Sequence, residues 1–594
     1  MALDIAAAPF APSFAGMPLE QVLPALDVVP PAAAAGTYRA WLAANPASPQ
    51  CFAAWFNLGV LLAQDGARAE AMEAYRQALA LKPDLYQASV NLGLALEAEG
   101  QAEAALSVWQ GALQPDAART ALLNQCGRLL EGAKRYAEAE QALYASLLTN
   151  PQQPDVIQHW SHLRQKGCIW PLRPAGGMPG LGAEALALHA GPLGALALTD
   201  DVAQQRRIGE TWISRKVPPA PARLAPPEGY PKRERIRLGY LSSDFCRHAM
   251  GFLIVELLER HDRDRFEVFG YCSTAEDGSD LRRRIIAAVD HHVPVGRLSE
   301  EATARRIRAD EIDILVDLNG LTRGARLEAL RWKPAPVQAT YLGYVGPVPL
   351  PELDWLICDS TVVPPEQAVH YAPRPLPLDG LYQANDGRML ELPALSRAEE
   401  GLPENAFVLC CFNNFYKITE PVFAAWIAIL RRLDHAVLWL AEDNATGAAN
   451  LCRALAAAGV APGRLILAPR ADPARYLARL ALADLFLDTS PYNAGTVASD
   501  ALRMGLPLVT LSGRSFASRM AASLLRAVGL TETIATTLDD YVDIAVALGT
   551  DTARLSQARR VLAGGAAWRR SIGDSAGFAA RMEAAYESIL LTAP

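Results

Sequence analysis

From Tyr38 to about Asn150, apolar and small residues recur at helical spacing, and the pattern then repeats itself. Asn57-Leu58-Gly59 returns as Asn91-Leu92-Gly93, Gly66 as Gly100, Ala71 as Ala105 and Ala78 as Ala112, each 34 residues later. Tyr75 and Trp109, the same distance apart, place a large ring in one slot of both units. After residue 232 the period changes. Short apolar, β-branched runs alternate with helix-like stretches: RIRLGYLS from Arg235, FEVFGYC from Phe266, IDILVDLNG from Ile312, VQATYLGY from Val337 and LDWLICD from Leu353. A second series follows: FVLCCFNN from Phe407, AVLWLAED from Ala436, RLILAPR from Arg464, LFLDTS from Leu485 and PLVTLSG from Pro507. Continuous apolar runs bounded by turn residues and separated by helices predict parallel strands with both faces covered. Two such series predict two doubly wound lobes, with the chain crossing between them near Asp379 to Leu392.

The interval of 34 residues is that of tetratricopeptide (TPR) repeats. Small residues stand where two helices must approach closely: Gly59, Ala71 and Ala78, then Gly93, Ala105 and Ala112. A looser third unit starts near Asn124 with Gly127, Tyr136, Ala139 and Ala142, and Tyr38 to Pro46 reads as the second helix of an incomplete unit ahead of the first. A helix pair cannot bury its apolar face alone, so the units stack into a short α-solenoid with a concave face suited to a polypeptide. Dimerisation through the repeats, giving a homo-oligomer, is the plainer use of so short an array. The expected fold class is therefore a TPR α-solenoid followed by α/β, two Rossmann-like lobes. The expected domains are a disordered or irregular lead-in over 1–36, repeats over 37–155, and a connector with a Pro-rich linker over 156–231. An N-terminal lobe over 232–385 and a C-terminal lobe over 386–594 follow, the last ending in a helix. Two or three helices of the connector are expected to cap the solenoid. VPPAPARLAPPEGYP, from Val217 to Pro231, carries six prolines in fifteen residues and reads as the clearest boundary.

The size of 594 residues demands more than one core. A net charge of −8 with no dense Lys/Arg run sets nucleic acid aside as the main partner. Nine scattered Cys without CxxC spacing fit a reducing, cytoplasmic setting. The apolar first residues contain Asp4 and no basic residue, unlike a secretory signal, and no run is long enough to predict a membrane span. No GxGxxG follows the first strand of either lobe and no Walker A sequence occurs, so neither a dinucleotide dehydrogenase nor a P-loop enzyme is expected.

Two stretches carry the candidate chemistry: FNNFYKI, Phe412 to Ile418, and NAGTVASD, Asn493 to Asp500. Each follows a strand-like run and leads into a helix-like segment, the position at which open α/β sheets bind ligands. Lys417 supplies a cation, and a small-residue turn at a helix start supplies free N–H groups and a positive dipole end. Together they suit a diphosphate.

RIRLGYLSSDFCRHAMGF from Arg235, VDLNGLTRGAR from Val316, FNNFYKI and ASRMAASLLRAVGL from Ala517 resemble the TPR-containing O-GlcNAc transferase and SPINDLY family, glycosyltransferase family 41, of GT-B fold. The resemblance covers nearly the whole chain. It implies inverting transfer of a sugar from a nucleotide-sugar donor to Ser/Thr of polypeptides bound by the repeats, with no metal or other cofactor; a related branch of the family glucosylates Asn. By that likeness Lys417 matches the diphosphate-binding lysine, His248 the active-site histidine, Thr496 and Asp500 the phosphate and ribose contacts, and Arg479 a nucleotide-side position. Asn414 stands where relatives often have Gln, and Asp244, Asn319, Leu321, Thr322 and Arg326 fall on the acceptor side. His248 follows the first strand and is the candidate base, with hydrogen-bond positioning as its alternative role.

The departures bear on specificity. Leu321 replaces a common His, and GYVGPVPLPE from Gly343 replaces GYPGTSG. Gly495 replaces a His, Val497 a Thr, and Tyr476 stands where many relatives have His. UDP-GlcNAc is the leading donor; UDP-glucose, a GDP-sugar or, in a flagellin-type enzyme, a CMP-linked nonulosonic acid remain open. So does a TPR adaptor whose GT-B part has lost its activity.

Overall fold

The computed structural model describes residues 14–26, 30–113, 118–174, 176–226, 228–231, 233–388 and 391–591. The chain divides into two compact units. One runs to Leu163 and includes Met178–Leu181; the other comprises Arg164–Gly177 and everything from Gly182 onward.

The first unit is the solenoid, built of the helix pairs Cys51–Gln64 and Arg68–Leu81, Tyr86–Ala98 and Ala102–Gly111, and Ala118–Gly132 and Tyr136–Thr149. The glycines of the repeat are contact points. A Cβ on Gly59 would lie 2.6 Å from the Tyr75 ring, one on Gly93 2.1 Å from Trp109, and one on Gly127 2.2 Å from Leu143. The third unit thus fills with Leu143 the slot that aromatic rings fill in the other two. The half-repeat is a full helix, Pro31–Ala44, preceded by another, Leu19–Leu26. The expected irregular lead-in over 1–36 is therefore corrected from Phe14 onward: Trp41 donates to the Met17 carbonyl (2.9 Å) and Gln50 accepts from the Leu19 amide (2.7 Å), fastening this segment to the first helices. Residues 1–13 and 27–29 of that lead-in lie outside the described residues.

The connector is also corrected. Helix Pro154–Lys166 belongs to the first unit as far as Leu163, its Trp160 stacked on Tyr144, whereas helices Ala183–His189, Pro192–Leu198 and Val202–Lys216 belong to the second unit rather than capping the solenoid. Asp200 accepts from the Arg514 and Ser515 amides (2.6 and 2.9 Å), and Leu196 is wholly buried in the second unit's core. The Pro-rich segment is no boundary either. Leu224 and Ala225 donate their amides to the Trp332 and Lys333 carbonyls, so the segment lies on the lobe it precedes.

The second unit holds two all-parallel sheets. The first comprises β1 (Ile236–Ser242), β2 (Phe266–Cys272), β3 (His291–Pro294), β4 (Ile314–Asp317), β5 (Val337–Thr340), β6 (Trp355–Asp359) and β7 (Arg374–Leu378). The second comprises β8 (Phe407–Cys411), β9 (Ala436–Ala441), β10 (Leu465–Ala468), β11 (Leu485–Leu487), β12 (Leu508–Leu511) and β13 (Ile534–Ala535). The strand orders are β3-β2-β1-β4-β5-β6-β7 and β10-β9-β8-β11-β12-β13. Strand order therefore reverses between β1 and β4 in one sheet and between β8 and β11 in the other, and the crevice at such a reversal is where doubly wound sheets take ligands. The C-terminal helix Ser575–Leu591 returns to the first sheet. Glu583 accepts from His261 (3.0 Å) and the Asp262 amide (2.9 Å), and the Tyr586 and Tyr240 hydroxyls meet at 3.0 Å. Among the described residues no helix is long and apolar enough to cross a membrane.

Candidate active site

The loops at the two strand-order reversals open onto one cavity of about 1030 Å³. After β1 come Ser243, Asp244 and His248; after β4, Thr322, Arg323 and Gly324; after β8, Asn413, Asn414, Tyr416 and Lys417; after β11, Tyr492 and Gly495 to Val497.

The β8 and β11 loops are stitched together. Asn413 donates to the Thr489 hydroxyl (2.9 Å) and the Thr419 hydroxyl to the Ser490 carbonyl (2.9 Å). Lys417 ends the 3₁₀ turn Phe415–Lys417, its Nζ donating to the Asn493 carbonyl (3.0 Å) and lying 3.7 Å from the centre of the Tyr492 ring. The lysine is partly open to the cavity, with protein packed densely on its other sides; loss of water lowers its pKa to about 8, opposed by Asp488 and Cys411. Helix Thr496–Arg503 starts at Gly495 with no side chain capping it, so its first-turn amides are left to a ligand. A cation from one loop and an uncapped helix start from the next are an arrangement suited to an anion.

On the opposite wall His248 caps the helix Ala249–Arg260. Its Nδ1 accepts from the Met250 amide (3.3 Å) and lies 3.8 Å from Asp244 Oδ2. With Nδ1 accepting, the neutral ring carries its proton on Nε2 and is a donor there. Asp244 is held by Asn319, whose Nδ2 donates to Oδ2 (2.9 Å).

A second cavity of about 280 Å³ shares Leu253 and Thr496 with the first and is lined by Tyr476, Asp500, Arg503 and Trp568. Burial raises the Asp500 carboxyl to about 6, against the pull of Tyr476 and Arg503. An Asp whose folded pKa exceeds its unfolded value favours the folded state only while protonated. Its ionisation therefore costs stability progressively from about pH 4 to pH 6 and fully above that. Asp500→Asn is expected to raise the ligand-free protein's stability by about 1–2 kcal/mol at pH 7 and by nothing measurable at pH 4, read by denaturant titration at both pH values.

Of the residues singled out in the sequence, Asp244, His248, Thr322, Asn414, Lys417, Gly495, Thr496 and Val497 line the main cavity, and Tyr476 and Asp500 the adjoining one. Four do not line either. Arg479 is buried and ion-paired to Glu400 (2.7 Å), with a further bond to the Pro469 carbonyl, so its guanidinium is committed to the lobe's interior. Arg326 is turned away onto Glu300 and the Val295 and Leu298 carbonyls. Leu321 is buried against the connector helix at Gly209. Asn319 is buried behind Asp244, to whose carboxylate it donates. The Gly495 position is tight: a Cβ there would meet Met520 at 3.2 Å and Gln383 at 3.3 Å. Met520 and Gln383, both on the main cavity's wall, thus close the space that a larger residue at 495 would occupy.

Two parallel Rossmann-like lobes with one cleft built from both strand-order reversals, an anion site on the C-terminal lobe and a His/Asp pair on the N-terminal lobe define a protein of the GT-B type. The sequence profile of Glycosyl transferase family 41 matches residues 222–377 and 383–571, and that of the tetratricopeptide repeat residues 52–85. The chain belongs to glycosyltransferase family 41. It is 36% identical over 341 residues, 55% of this chain and 35% of the other, to a probable UDP-N-acetylglucosamine–peptide N-acetylglucosaminyltransferase, SEC, of Arabidopsis thaliana. It is 29% identical over 376 residues, 60% of this chain and 39% of the other, to a Petunia hybrida protein named as the probable transferase SPINDLY. A solved mutant of the Thermobaculum terrenum O-GlcNAc transferase superposes with a TM-score of 0.64 at 27% identity, covering 91% of this chain and 98% of that one. The match spans only 35% and 39% of the length of those two curated relatives.

Proposed function

We propose that this protein is an inverting protein glycosyltransferase that transfers a sugar from a nucleotide-sugar donor, UDP-GlcNAc first among candidates, to Ser/Thr hydroxyls of polypeptides bound by the repeats. The observation that carries this reading is the single cleft with an anion site on one wall and a His/Asp pair on the other. The donor's diphosphate would rest on Lys417 and the amides at Thr496 and Val497, its nucleoside in the adjoining cavity beside Tyr476 and Asp500. In the transfer the acceptor oxygen bonds the sugar's anomeric carbon as the bond to the diphosphate breaks. The hydroxyl proton leaves to a base, and the negative charge moves onto the diphosphate. Lys417 and the helix start compensate that charge, so we read the reaction as metal-independent and expect transfer to survive EDTA. Nine free thiols, seven of them buried, support a reducing, cytoplasmic setting.

The capping geometry of His248 favours its role as a donor that positions substrate over that of base. His248→Gln, which keeps a donor, is expected to retain transfer within about tenfold, and His248→Ala to lose about a hundredfold in kcat/KM. Equal losses in both would return the base role to His248. The competing reading, an adaptor with a decayed cleft, draws on Leu321, Gly495 and Val497. The packing of Met520 and Gln383 against Gly495 argues for a reshaped pocket instead. Donor hydrolysis over a panel of UDP-, GDP- and CMP-sugars, followed by intact mass of lysate proteins incubated with enzyme and the active donor, tests the proposal. One added sugar mass on a polypeptide supports it; nucleotide binding without turnover of any donor overturns it.

A further inference from the structure

Each lobe carries the same device at the strand that follows its order reversal. Asp317, ending β4, accepts from the Asn319 and Gly320 amides (3.1 and 2.7 Å) and from the Thr340 hydroxyl on β5 (3.0 Å). Asp488, just past β11, accepts from the Thr489 and Ala494 amides (both 2.8 Å) and from the Thr510 hydroxyl on β12 (2.7 Å). Both carboxyls are 1% exposed. A buried carboxylate held by two amides and a hydroxyl fixes the turn it closes, and its loss leaves those donors unpaired. In the N-terminal lobe the turn carries Asn319 and Thr322; in the C-terminal lobe it carries Tyr492, Asn493 and Gly495.

The two devices differ in one respect. Asp488 lies in the field of Lys417, which bonds the carbonyl of Asn493 inside the turn that Asp488 closes, and Asn413 Nδ2 approaches Asp488 Oδ1 at 3.5 Å from the lysine's own loop. For Asp317 the charged neighbour that bears on it is another carboxylate, Asp244.

We propose that Asp488 is a positioning residue for the diphosphate site: through the 489–494 turn and its charge it holds Lys417 as an ammonium facing the helix start at Gly495. The inference rests on the glycosyltransferase reading only in naming the diphosphate as ligand. The groups facing the lysine are Asp488, Cys411, the Tyr492 ring and the Asn493 carbonyl. Burial lowers the lysine and Asp488 raises it, so removing the Asp488 charge drops the lysine further. Asp488, itself raised by burial and faced by Lys417, Thr510 and the Thr489 and Ala494 amides, also repels a bound anion when ionised. Raised as it is, Asp488 carries least charge at low pH, so its removal matters least there and most at high pH, where it takes away the charge that keeps the lysine protonated.

The test is isothermal titration of the full chain with UDP and, separately, with inorganic pyrophosphate, from pH 6 to 9, on wild type, Asp488→Asn and Asp317→Asn. The wild type is expected to lose affinity as pH rises past about 8. Asp488→Asn is expected to bind as tightly or more tightly at pH 6 and at least about tenfold more weakly at pH 8.5, one unit of lysine pKa being a tenfold loss above it. Asp317→Asn is expected to keep the wild-type profile whatever its thermal stability. A second variant, Asp488→Asn with Lys417→Arg, is expected to bind with no such pH dependence, since a guanidinium stays charged throughout. A uniform offset of Asp488→Asn at every pH, or the same shift in Asp317→Asn, overturns the inference. If Asp488→Asn does not fold, Thr510→Val removes one donor from the carboxylate and must move the profile the same way. Wild type that binds pyrophosphate and not UDP overturns the nucleotide reading and leaves the Asp488 comparison intact; wild type that binds neither overturns both.

Discussion

Replacing Lys417 by alanine lowers sugar transfer about a thousandfold or more at pH 7 and leaves the melting temperature within a few degrees of wild type. The activity loss follows from where charge moves in the reaction. The departing diphosphate gains negative charge, and one preorganised donor at such a site accounts for about a hundred- to thousandfold in rate. Lys417 supplies a full charge there, and among the described residues lining the cavity it is the one cation on the C-terminal lobe's wall. The amides at the helix start remain in the variant and set the residual rate. Stability changes little because the ammonium is held at a desolvated position that the fold itself disfavours, as its lowered pKa shows. The same shift gives the pH dependence. A lysine lowered to about 8 is charged below that value, so donor affinity is highest below pH 8 and falls above it. Donor hydrolysis with thermal melting on one preparation reads both effects. Unchanged turnover in Lys417→Ala would remove the lysine from the mechanism.

Much of this architecture stands in the sequence because its causes are local. The glycines at 59, 93 and 127 had to be small wherever Tyr75, Trp109 and Leu143 meet them, so the interval was written in spacing alone. Ten strands announced themselves as apolar runs because they are covered on both faces. The strands that escaped are β3, β7 and β13, and each is an edge. β3 reads HHVP and is mostly exposed, β7 reads RPLPL with prolines that only an edge strand tolerates, and β13 has two residues. An edge need not be apolar on both faces, so periodicity finds it only where, as in β10, the run stays apolar.

The loops after β1, β4, β8 and β11 were legible as the site's location because strand ends mark it. Side-chain direction was not. Arg326, Leu321 and Arg479 lie as near in sequence to the cleft as the residues that line it. Glu300 and Glu400 draw the two arginines inward, and the turn at Gly320, with φ of 59°, sends Leu321 toward the connector. Met520 and Gln383 come from an adjacent helix and the crossover, and no local pattern joined them to Gly495. Asp488 did leave a signal: an Asp ending the apolar run LFLD is a charge entering a buried strand end, which needs partners.

The largest stability effect is expected from Gly343→Ala. Gly343 follows β5 in the loop that lines the cleft, next to Leu342, whose φ of 69° is a left-handed conformation that a leucine adopts only under constraint. A Cβ on Gly343 would lie 1.9 Å from the Leu318 carbonyl oxygen, 2.8 Å from its carbon and 3.0 Å from Asn319 Cα. These are backbone atoms at the end of β4, and no rotamer change can relieve the overlap. Either the 342–345 loop or the β4 turn must move. The β4 turn is anchored by Asp317 and carries Asn319, which holds Asp244, so a shift on that side displaces the carboxylate facing His248. A loss of about 3 kcal/mol or more is expected, from overpacking against fixed atoms, and any folded fraction should have little transfer activity. Gly401→Ala is the control. Its φ of 70° carries the left-handed cost, but nothing lies within 4 Å of its added Cβ, so it should lose only about 1 kcal/mol and keep full activity. If the two variants unfold alike, the close approach at 343, where the backbone is not left-handed, costs no more than a left-handed φ does, and overlap with fixed atoms is ruled out as the cause of a large loss. If Gly343→Ala instead melts as wild type yet fails to transfer sugar, the loop has yielded without the core, and the cleft's shape depends on that one missing methyl.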